Sequence, residues 1–452
     1  MKSTMFNTFC ALVVISSRFP IGVETIYRPF SKLFIVFIFI FIVSCAPVNN
    51  SSKKIEISNY EEKQEEIVIK KTLKQNKLDL SPIKKTFNKS LVLNTIELIM
   101  PLDSNKEITE NFINSFELSV YKKNIENVEI NINKYSNLNE LDSLLKLKTK
   151  PGKIFVGTLN SEATKVVKNY CNQGIIFFSF AAKKNLAKDC VYLVNFFPED
   201  DLIALFNYFP SESKIALLFP ENYYGYNINK IIDPIAAKSK SLIINRASYS
   251  EDLTNARSAI KELGKYELRK YELERQKKIL ENKSDEISKR ALKKIKKFET
   301  IGDVEFTHLI LPDYSIRLLE IAPLLPFYDV DPNKVQFVGT GVWDDSIFFD
   351  EPSLQRAIFS GIEERKRRDF FSDYLEIYNQ KPIRTATIPY DLIALLSYFI
   401  KKEMTLGDAY DFMNNEKIKF DGIDGRFFFL NNIIFRELDI LKISNGEANK
   451  VN

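Results

Sequence analysis

The sequence predicts an α/β protein with two lobes, each built from a parallel β-sheet flanked by helices. From residue 91 onward, apolar runs of five to eight residues alternate with amphipathic segments of ten to eighteen residues. Continuous apolar runs are typical of strands buried on both faces, and helices between them favour parallel connections. The runs are LVLNTIELIMP, VEININ, KIFVGT, GIIFFSF, CVYLVNF, KIALLFP, KSLIIN, THLILPD and VQFVGTG. Because about ten such units exceed one sheet of ordinary size, two lobes are expected.

The N-terminal stretch has the pattern of a secretory signal. Arg28 and Lys32 precede an apolar run of eleven residues, 33–43, that closes on Ser-Cys. As a helix this run rises about 16 Å, well short of the roughly 30 Å hydrocarbon core, so a membrane span is disfavoured. The closing Ile-Val-Ser-Cys resembles a bacterial lipobox, which implies that residues 1–44 are a signal peptide and that Cys45 carries lipid. The alternative is a short buried core helix that ends in cysteine.

Residues 45–90 are polar, rich in Lys, Glu, Asn and Ser, and without a sustained period. Such a segment buries too little apolar surface to offset its ordering entropy, so a flexible tether is expected. An exposed helix over 61–75 is the alternative. Ala46 provides no acidic retention signal after the cysteine. The chain resembles in this respect the bacterial lipoproteins that are sorted to the outer membrane. The resemblance therefore implies that the protein faces the periplasm and is anchored by its lipid to the outer membrane of a Gram-negative bacterium.

Composition argues against nucleic-acid binding and against catalysis. The 452 residues have a net charge of +5 in mixed-sign segments, without a basic footprint for nucleic acid. The single histidine, His308, lies in the apolar run HLILP and is expected to be a core residue. Without a His/Cys cluster, neither a metal site nor a Ser-His-Asp triad is expected, and no cofactor is predicted. Since a GxGxxG after the first strand and a P-loop are also missing, the sequence favours a binding protein over an enzyme.

Two cysteines remain in the mature chain once Cys10 is removed with the signal and Cys45 is lipidated. In an oxidising compartment, Cys171 and Cys190 would tend to pair. In the alternating pattern Cys171 ends a helix and Cys190 precedes the next strand, which places both at one edge of the sheet. The alternative is two separately buried small apolar residues.

The predicted strand ends carry polar and aromatic side chains. Ligands of open parallel sheets bind beyond the carboxyl ends of the strands. The ends are DS at 103–104, NS at 160–161, SFAA at 179–182, NYYG at 222–225, DY at 313–314 and GTGVWDD at 339–345. They contain hydroxyl, amide, aromatic and carboxylate groups but no convincing nucleophile–base pair. They therefore predict a cleft that holds a polar group.

Residues 264–297 form a separate, highly charged segment in which basic residues outnumber acidic ones about two to one. A narrow apolar stripe and a break at 282–285 with a new N-cap predict an inserted helical hairpin in the second lobe. Two interpretations remain open: a solvated charged face packed on one side, or a docking surface for a protein partner.

The segment VQFVGTGVWDD, with EIAPLLPFYDVDP before it and FDEPSLQRAIFSG after it, resembles the type I periplasmic binding proteins of the leucine-binding class. IMPLDS, PENYYGYNINKI, DVEFTHLILPD, TIPYDLIAL and the ending KFDGIDGRFFFLNNIIFRELDILKISNG follow that family in the same order. The chain looks closest to the lipoproteins called penicillin-binding protein activators, in their alphaproteobacterial form. The resemblance implies two lobes joined by three crossovers. The expected boundaries are 91–197 and 346–415 for lobe 1, 198–345 and 416–446 for lobe 2 with the insertion 264–297, and 447–452 for a tail.

The resemblance also implies candidate ligand contacts. Ser161, Ser179, Ala182 and Tyr224 fall where amino-acid-binding relatives place groups around the carboxylate and ammonium of the ligand. Where such relatives carry an acidic residue in the second lobe, this chain has Gly341. Because both ends of a buried zwitterion need partners, this departure predicts that the cleft binds something other than an α-amino acid, or nothing.

Three second-lobe residues complete the candidate ligand-binding set. Asp313 follows a predicted strand and carries a carboxylate at its end. Trp343, the only tryptophan, would either pack under a loop or line the cleft. Asp344 would either cap a helix or contact the ligand.

The function implied by the resemblance is non-catalytic regulation of peptidoglycan synthesis, in which the protein docks on a peptidoglycan synthase, that is, a penicillin-binding protein. The alternative is an ABC-transporter-type solute-binding protein that delivers amino acids or related small polar ligands to a permease.

Overall fold

The structure is a computed structural model that describes residues 91–102, 106–314 and 316–451. The predicted signal peptide, the lipidated Cys45, the tether and the strand end at 103–104 lie outside the described residues.

The first part of the chain alternates strands with helices. Its elements are β1 (Thr95–Pro101), α1 (Lys106–Lys122), β2 (Glu129–Tyr135), α2 (Leu138–Lys148), β3 (Lys153–Gly157), α3 (Ser161–Lys168), β4 (Ile176–Ser179) and β5 (Val191–Leu193). Strand β1 is buried at every position, which is why its sequence TIELIMP does not alternate between apolar and polar residues. Helix α3 begins where the side chain of Asn160 accepts a hydrogen bond from the amide of Ala163 at 2.9 Å.

The second part continues the alternation and adds the charged insertion. Its elements are α4 (Pro198–Tyr208), β6 (Lys214–Pro220), α5 (Tyr223–Lys238), β7 (Leu242–Tyr249), α6 (Ala256–Leu263), α7 (Tyr266–Glu281), α8 (Glu286–Ile295), β8 (His308–Ile310), α9 (Ile316–Ile321), α10 (Leu324–Phe327), β9 (Gln336–Gly339) and β10 (Ile358–Gly361).

The last part contributes helices and antiparallel strands. Its elements are α11 (Arg368–Tyr378), α12 (Thr387–Lys401), α13 (Leu406–Met413), β11 (Phe420–Gly422), β12 (Gly425–Leu430), β13 (Ile433–Glu437), β14 (Asp439–Ser444) and β15 (Glu447–Lys450).

The strands form two sheets, one for each lobe. The first has eight strands in the order β11-β12-β13-β5-β4-β3-β1-β2, and the second has seven in the order β15-β14-β10-β9-β8-β6-β7. In the first sheet, all neighbours along the order from β13 to β2 are parallel, and in the second sheet all neighbours from β10 to β7 are parallel. The pairs β11–β12, β12–β13, β10–β14 and β14–β15 are antiparallel. The predicted two-lobed α/β class is confirmed, with an antiparallel edge on each parallel sheet.

The structure divides the chain between the lobes differently from the predicted boundaries. Strand β10 lies within the range 346–415 assigned to lobe 1, yet it pairs with β9 of the second lobe. Strands β11 to β13 lie within the range 416–446 assigned to lobe 2, yet they extend the first sheet beside β5. Residues 447–450 form the edge strand β15 and are not a tail. The second and third crossings between the lobes come after β10 and at Leu438. The composition of the chain does not change at either point, so it could not reveal them.

The charged insertion forms two consecutive helices, α7 and α8, that contact each other. Asp285 caps α8, since its carboxylate accepts a hydrogen bond from the amide of Ser288 at 2.8 Å. Arg269 fixes the base of the insertion through hydrogen bonds to the carbonyl oxygens of Gly264, Gly302, Tyr328 and Asp329 and to the hydroxyl of Thr300. The hairpin therefore starts from a rigid, buried anchor.

Cys171 and Cys190 form a disulfide with an S–S distance of 2.06 Å. Of the two alternatives left open by the sequence, the structure has the bonded pair. The bond joins the turn after α3 to the residue before β5, at the same edge of the first sheet.

We expect the double variant Cys171→Ser, Cys190→Ser to unfold more easily than the wild type. The bond closes a loop with a sequence separation of 19 residues. Loop closure of that length restricts the unfolded chain and is worth about 3 kcal/mol. Urea unfolding followed by circular dichroism measures the difference. Reduced wild type should match the double variant, and a difference below about 1 kcal/mol would contradict the assignment of the stabilisation to this bond.

Candidate functional site: the hinge and the cleft between the lobes

The two lobes are joined by three crossovers, at 194–197, at 362–367 and at Leu438. Strands β5 and β10 lead directly into the first two crossovers. The carboxyl ends of parallel strands in both sheets therefore border the hinge, where open α/β sheets bind their ligands. This cleft is the candidate functional site.

Four charged side chains bridge the cleft and form what we call the hinge network: Asp344, Arg367, Arg384 and Asp424. Asp344 extends from the second lobe, and Arg384 and Asp424 belong to the first. Arg384 Nε donates to Asp344 Oδ2 at 3.1 Å, and its Nη2 and Nη1 atoms bind Asp424 Oδ1 and Oδ2 at 2.8 and 2.9 Å. Arg384 is therefore shared between a carboxylate of each lobe.

Arg367 completes the network from the second crossover. Its Nη2 donates to Asp344 Oδ1 at 2.9 Å, and its Nη1 lies near Asp344 Oδ2 and 3.4 Å from Asp424 Oδ1. The exposed fraction of its side chain is 2%, and that of Asp424 is 3%. Because water is largely excluded, these charges interact more strongly than a surface ion pair does.

Local backbone structure positions each member of the network. Arg384 starts the short 3₁₀ turn before helix α12, and Asp344 follows a 3₁₀ turn after β9. Asp424 lies in the tight turn between β11 and β12, which Gly425 closes with a φ of +85°. A Cβ at Gly425 would lie 2.5 Å from Cδ1 of Ile362 in the second crossover. Glycine is required here both for its backbone angle and for this close approach.

The charges of the two arginines hold the carboxylate of Asp424 ionised. Burial alone raises the pKa of Asp424, but the charges of Arg384 and Arg367 and hydrogen bonds from Arg384 and Thr387 outweigh burial and set that pKa at about 2. Burial likewise lowers the pKa of Arg384, whereas Asp424 and Asp344 raise it, and the net direction is upward. Both groups are therefore charged throughout the physiological range.

A second set of contacts crosses the hinge beside the network. The guanidinium groups of Arg384 and Arg436 lie 4.7 and 4.5 Å from the ring centre of Phe196, in the first crossover. The amide of Arg436 donates to Asp200 of α4 at 3.2 Å, and Arg436 Nη1 donates to the carbonyl oxygen of Asn195 at 2.7 Å. Strand β13 of the first lobe is thereby tied to helix α4 of the second.

Two adjacent carboxylates at the start of α4, the buried Asp200 and the half-buried Asp201, have raised pKa values. Burial raises the pKa of Asp200 to about 7, and burial raises that of Asp201 to about 6. Asp201 accepts hydrogen bonds from the amide of Gly341 at 3.0 Å and from the hydroxyl of Ser360 at 2.7 Å. These contacts hold the end of β9, from which Asp344 follows, against helix α4.

In the first lobe, the candidate ligand contacts are divided between the interior and the rim. Ser179 is fully buried, and its Oγ lies 2.7 Å from Thr164 Oγ1 and 3.2 Å from Thr158 Oγ1. Its hydrogen-bonding capacity is used inside the lobe, so it does not face a ligand. Ser161 is partly buried at the start of α3, and Ala182 is exposed after β4.

In the second lobe, Tyr224 and Asp313 bond to neighbours within the lobe. Tyr224 Oη lies 2.8 Å from Thr340 Oγ1. Asp313 accepts a hydrogen bond from Tyr249 Oη at 2.6 Å and pairs with Arg317 at 2.9 Å. A ligand ammonium at Asp313 would have to displace an arginine that is already bound.

Trp343 is a core residue: of the two alternatives left open by the sequence, the structure has the packed side chain, and Trp343 does not line the cleft. Its side chain is 0% exposed, and its Nε1 donates to the carbonyl oxygen of Leu311 at 3.1 Å. The ring packs against Gly339, where a Cβ would lie 2.0 Å from a ring carbon. Asp344, the next residue, does reach the cleft, but it binds two arginines of this chain.

Sequence reasoning missed Arg367, Arg384 and Asp424. Asp424 lies in the motif KFDGIDG, which predicts a tight turn and gives no sign of an ion pair. Arg367 directly precedes helix α11 and Arg384 lies three residues before α12, at positions where nothing in the local pattern identifies a partner. The four members of the network are separated in sequence and meet only because the chain crosses the hinge.

The geometry of the cleft is suited to holding the lobes together. No group of three or more His, Cys, Asp or Glu side chains that could bind a metal ion occurs among residues 91–102, 106–314 and 316–451. His308 packs against the ring of Phe209, and burial lowers its pKa to about 4. In the same described part of the chain, no helix has the length and apolar character needed to cross a membrane.

The two sheets, their order and the three crossovers define a two-lobed protein of the type I periplasmic binding protein fold. No protein-family model and no curated protein sequence matches the chain. Among solved structures, it is similar to a putative branched-chain amino acid ABC transporter from Rhodospirillum rubrum. That comparison has a TM-score of 0.60 and 13% identity, over 79% of this chain and 100% of that one.

The chain is also similar to LpoA from Haemophilus influenzae. For full-length LpoA the TM-score is 0.56 with 13% identity, over 80% of this chain and 60% of that one. For the LpoA C-domain, described as a regulator of PBP1A, the TM-score is 0.54 with 11% identity, over 79% of this chain and 100% of that one. These neighbours are binding proteins and a regulator, and at these identities the likeness establishes the fold.

Proposed function

We propose that this chain is a non-catalytic cell-envelope protein that regulates peptidoglycan synthesis as a penicillin-binding protein activator. The observation that carries the proposal is the hinge network. Arg384 and Asp344 join the lobes through the protein's own charges, at the place where a solute receptor holds its ligand. A protein whose lobes are already joined has no need of a solute and is suited to presenting a fixed surface to a partner. Similarity to LpoA, described as a regulator of PBP1A, supports this role.

The proposed docking surface is the helical hairpin α7–α8. Both of its helices expose large apolar side chains, with exposed fractions of 64% for Leu268, 68% for Tyr271 and 82% for Ile287. Exposed apolar side chains among charges are typical of protein interaction sites. Because Arg269 anchors the base of the hairpin, a partner would meet a surface of fixed orientation.

The charge of helix α8 indicates the chemistry of the partner. Arg290, Lys293 and Lys294 of the helix, and Lys297 in the turn after it, are exposed, and none of them forms an ion pair within the described ranges. An acidic surface on the periplasmic part of a peptidoglycan synthase would complement them. We further propose that lipid on Cys45 anchors the protein to the outer membrane. A tether of about 45 residues has an r.m.s. reach of roughly 35–40 Å, which would let the hairpin search for the synthase.

The test is the affinity of the full chain for the peptidoglycan synthases of the same cell, measured by surface plasmon resonance. We expect binding to weaken about tenfold or more in the variant Lys293→Glu, Lys294→Glu, because the change reverses two charges on the docking face. The matched control is Lys230→Glu, Lys238→Glu, which makes the same change on exposed residues of helix α5. The control should bind like the wild type. Absence of binding to every synthase would overturn the proposal.

A solute-binding protein for amino acids or related polar ligands, working with a permease, is the second candidate. It is favoured by the similarity to the Rhodospirillum rubrum protein, which extends over all of that chain. A thermal-shift screen against amino acids separates the two functions. A rise of several degrees with one amino acid would support the receptor, since ligands stabilise the state that binds them.

A further inference from the structure

A cavity of about 380 Å³ opens on the first lobe, between helix α12 and the edge strand β11. We call it the aromatic pocket and define it by Asp391, Tyr398, Phe412, Phe420 and Phe427. Its volume is within the range of small-molecule sites. The proposed docking hairpin belongs to the other lobe, so the pocket has no part in the function proposed above.

One wall of the pocket is a continuous row of aromatic rings. Tyr398 and Phe412 are stacked with ring centres 6.0 Å apart and planes 26° apart. Phe412 and Phe420 follow at 5.7 Å, and Phe420 and Phe427 at 5.2 Å. Tyr398 is 43% exposed, which is unusual for a large side chain in an aromatic cluster. The row is therefore partly open to solvent along the pocket.

The other wall is one face of helix α12. Asp391, Ala394, Leu395 and Tyr398 follow the spacing i, i+3, i+4 and i+7 of one helix face, so they line the pocket together. Asp391 is the acidic group on this face. Its Oδ1 accepts a hydrogen bond from the amide of Ile423 at 3.1 Å, and no lysine or arginine of the described segments lies within ion-pair distance of it.

A glycine keeps the space beside this carboxylate clear. A Cβ at Gly422 would lie 2.3 Å from Asp391 Oδ2. The carboxylate therefore sits against bare backbone on one side and the apolar pocket on the other. A carboxylate in such surroundings is destabilised unless a cation reaches it.

Asp391 forms no ion pair within the described residues, and its surroundings stabilise its charge only in part. Burial, and then the charge of Asp424, raise its pKa, whereas the amides of Ile423 and Asp424 and the more distant charge of Arg436 lower it, and the net result is a pKa of about 7. The charged groups around it are Lys123, Lys419, Asp421, Asp424 and Arg436. Lys123 and Lys419 are exposed at the rim, and Lys419 is paired with Glu437. Asp424 is neutralised by Arg384 and Arg367, and Asp421 by Arg426.

We propose that the aromatic pocket binds a monovalent organic cation, a primary ammonium or guanidinium group attached to an apolar body. The ionised carboxylate of Asp391 only accepts hydrogen bonds, which matches the donors of such a group. The faces of the aromatic rings attract cations and also bury an apolar body. A neutral or anionic ligand of the same shape would leave Asp391 without a cation in direct contact.

Phenethylamine and benzylguanidine, one primary ammonium and one guanidinium on an aromatic body, are the amine probes, titrated into the full chain and followed by isothermal calorimetry. We expect both to bind, and we expect 2-phenylethanol, which has the shape of phenethylamine without its charge, to bind at least about tenfold more weakly. The comparison needs no variant, so it is independent of folding defects. Equal binding of the alcohol and the amine, or no binding of either amine at millimolar concentration, would overturn the proposal.

Two variants and the pH dependence locate the site. Asp391→Asn should weaken binding of the amines about tenfold or more, and Phe412→Ala should also weaken it, whereas the exposed Asp411→Asn is the matched control and should not. Because Asp391 is protonated below its pKa, affinity for the amines should fall by up to about tenfold for each pH unit below 7 and level off above it. Unchanged affinity in Asp391→Asn with a pH profile like that of the wild type would place the amines elsewhere and overturn the proposal.

Discussion

Replacing Arg384 with alanine should lower the free energy of unfolding by about 3–5 kcal/mol. Arg384 binds a carboxylate of each lobe, Asp344 at 3.1 Å and Asp424 at 2.8 Å. Its removal leaves Asp424, which is only 3% exposed, with the more distant Arg367 as its cationic partner. The penalty for a buried charge that has lost its nearer cation exceeds the net value of the ion pair itself. Urea unfolding at neutral pH, followed by circular dichroism, measures the loss.

Two controls separate the network from a general effect of losing an arginine. Arg356→Ala removes an exposed arginine that donates to Asn333, and it should change stability by less than about 0.5 kcal/mol. The double variant Arg384→Met, Asp424→Asn removes the cation and one buried charge together, so it should be less destabilised than Arg384→Ala. A loss below about 1 kcal/mol in Arg384→Ala would show that the network contributes no more than a surface pair.

Replacing Trp343 with alanine should cost about 3–5 kcal/mol, the usual effect of truncating a fully buried large aromatic side chain. Trp343 is 0% exposed and packs in the core of the second lobe. The hydrogen bond from its Nε1 to Leu311 would be lost as well, which leaves that carbonyl without this donor. Since Asp344 is the next residue, a collapse around the cavity would also displace one end of the hinge network.

The conservative variant Trp343→Phe distinguishes the two contributions to this effect. It keeps an aromatic ring in the core but has no Nε1–H, so we expect a loss of about 1–3 kcal/mol. Unfolding curves from far-ultraviolet circular dichroism serve for both variants, since Trp343 is the only fluorescent tryptophan. If Trp343→Ala unfolds like the wild type, the side chain does not fill the core of the second lobe.

The architecture could be predicted from the sequence because a strand that is buried on both faces has a continuous apolar run, which is visible in the local sequence. Strand β1 is buried from Thr95 to Pro101, and its apolar run was readable without any knowledge of its neighbours. The same applies to the new N-cap at Asp285, since capping depends on residues one turn apart. The sequence left the pairing of Cys171 and Cys190 undecided, because a disulfide depends on where two residues distant in sequence meet.

The candidate site could be predicted only in part, for the same physical reason. Asp344 was recognised as a polar group at a strand end, but its partners Arg367 and Arg384 lie 23 and 40 residues away in sequence. Trp343 and Ser179 also follow or end strands, yet both are turned into the interior. Position at a strand end predicts proximity to the cleft, and the direction of the side chain depends on tertiary packing.

The lobe boundaries were wrong because crossings between lobes depend on strand pairing over long distances. Strand β13 ends at Glu437 and β14 begins at Asp439, so the chain changes lobes across the single residue Leu438. No loop, charge run or proline marks that point. Only the pairing of β13 with β5 and of β14 with β10 reveals it.

The most direct measurement is the distance between the lobes in the free protein, with and without amino acids. Unnatural amino acids at Tyr121 and Tyr223, which are 71% and 81% exposed, carry a fluorescent donor and acceptor, one on each lobe. If the hinge network joins the lobes, the wild type should show one narrow distance that amino acids at millimolar concentration leave unchanged, and Arg384→Ala should broaden it. A wild-type distance that shortens when an amino acid is added would show that a solute closes the cleft, and would contradict a lobe arrangement fixed by the protein's own charges.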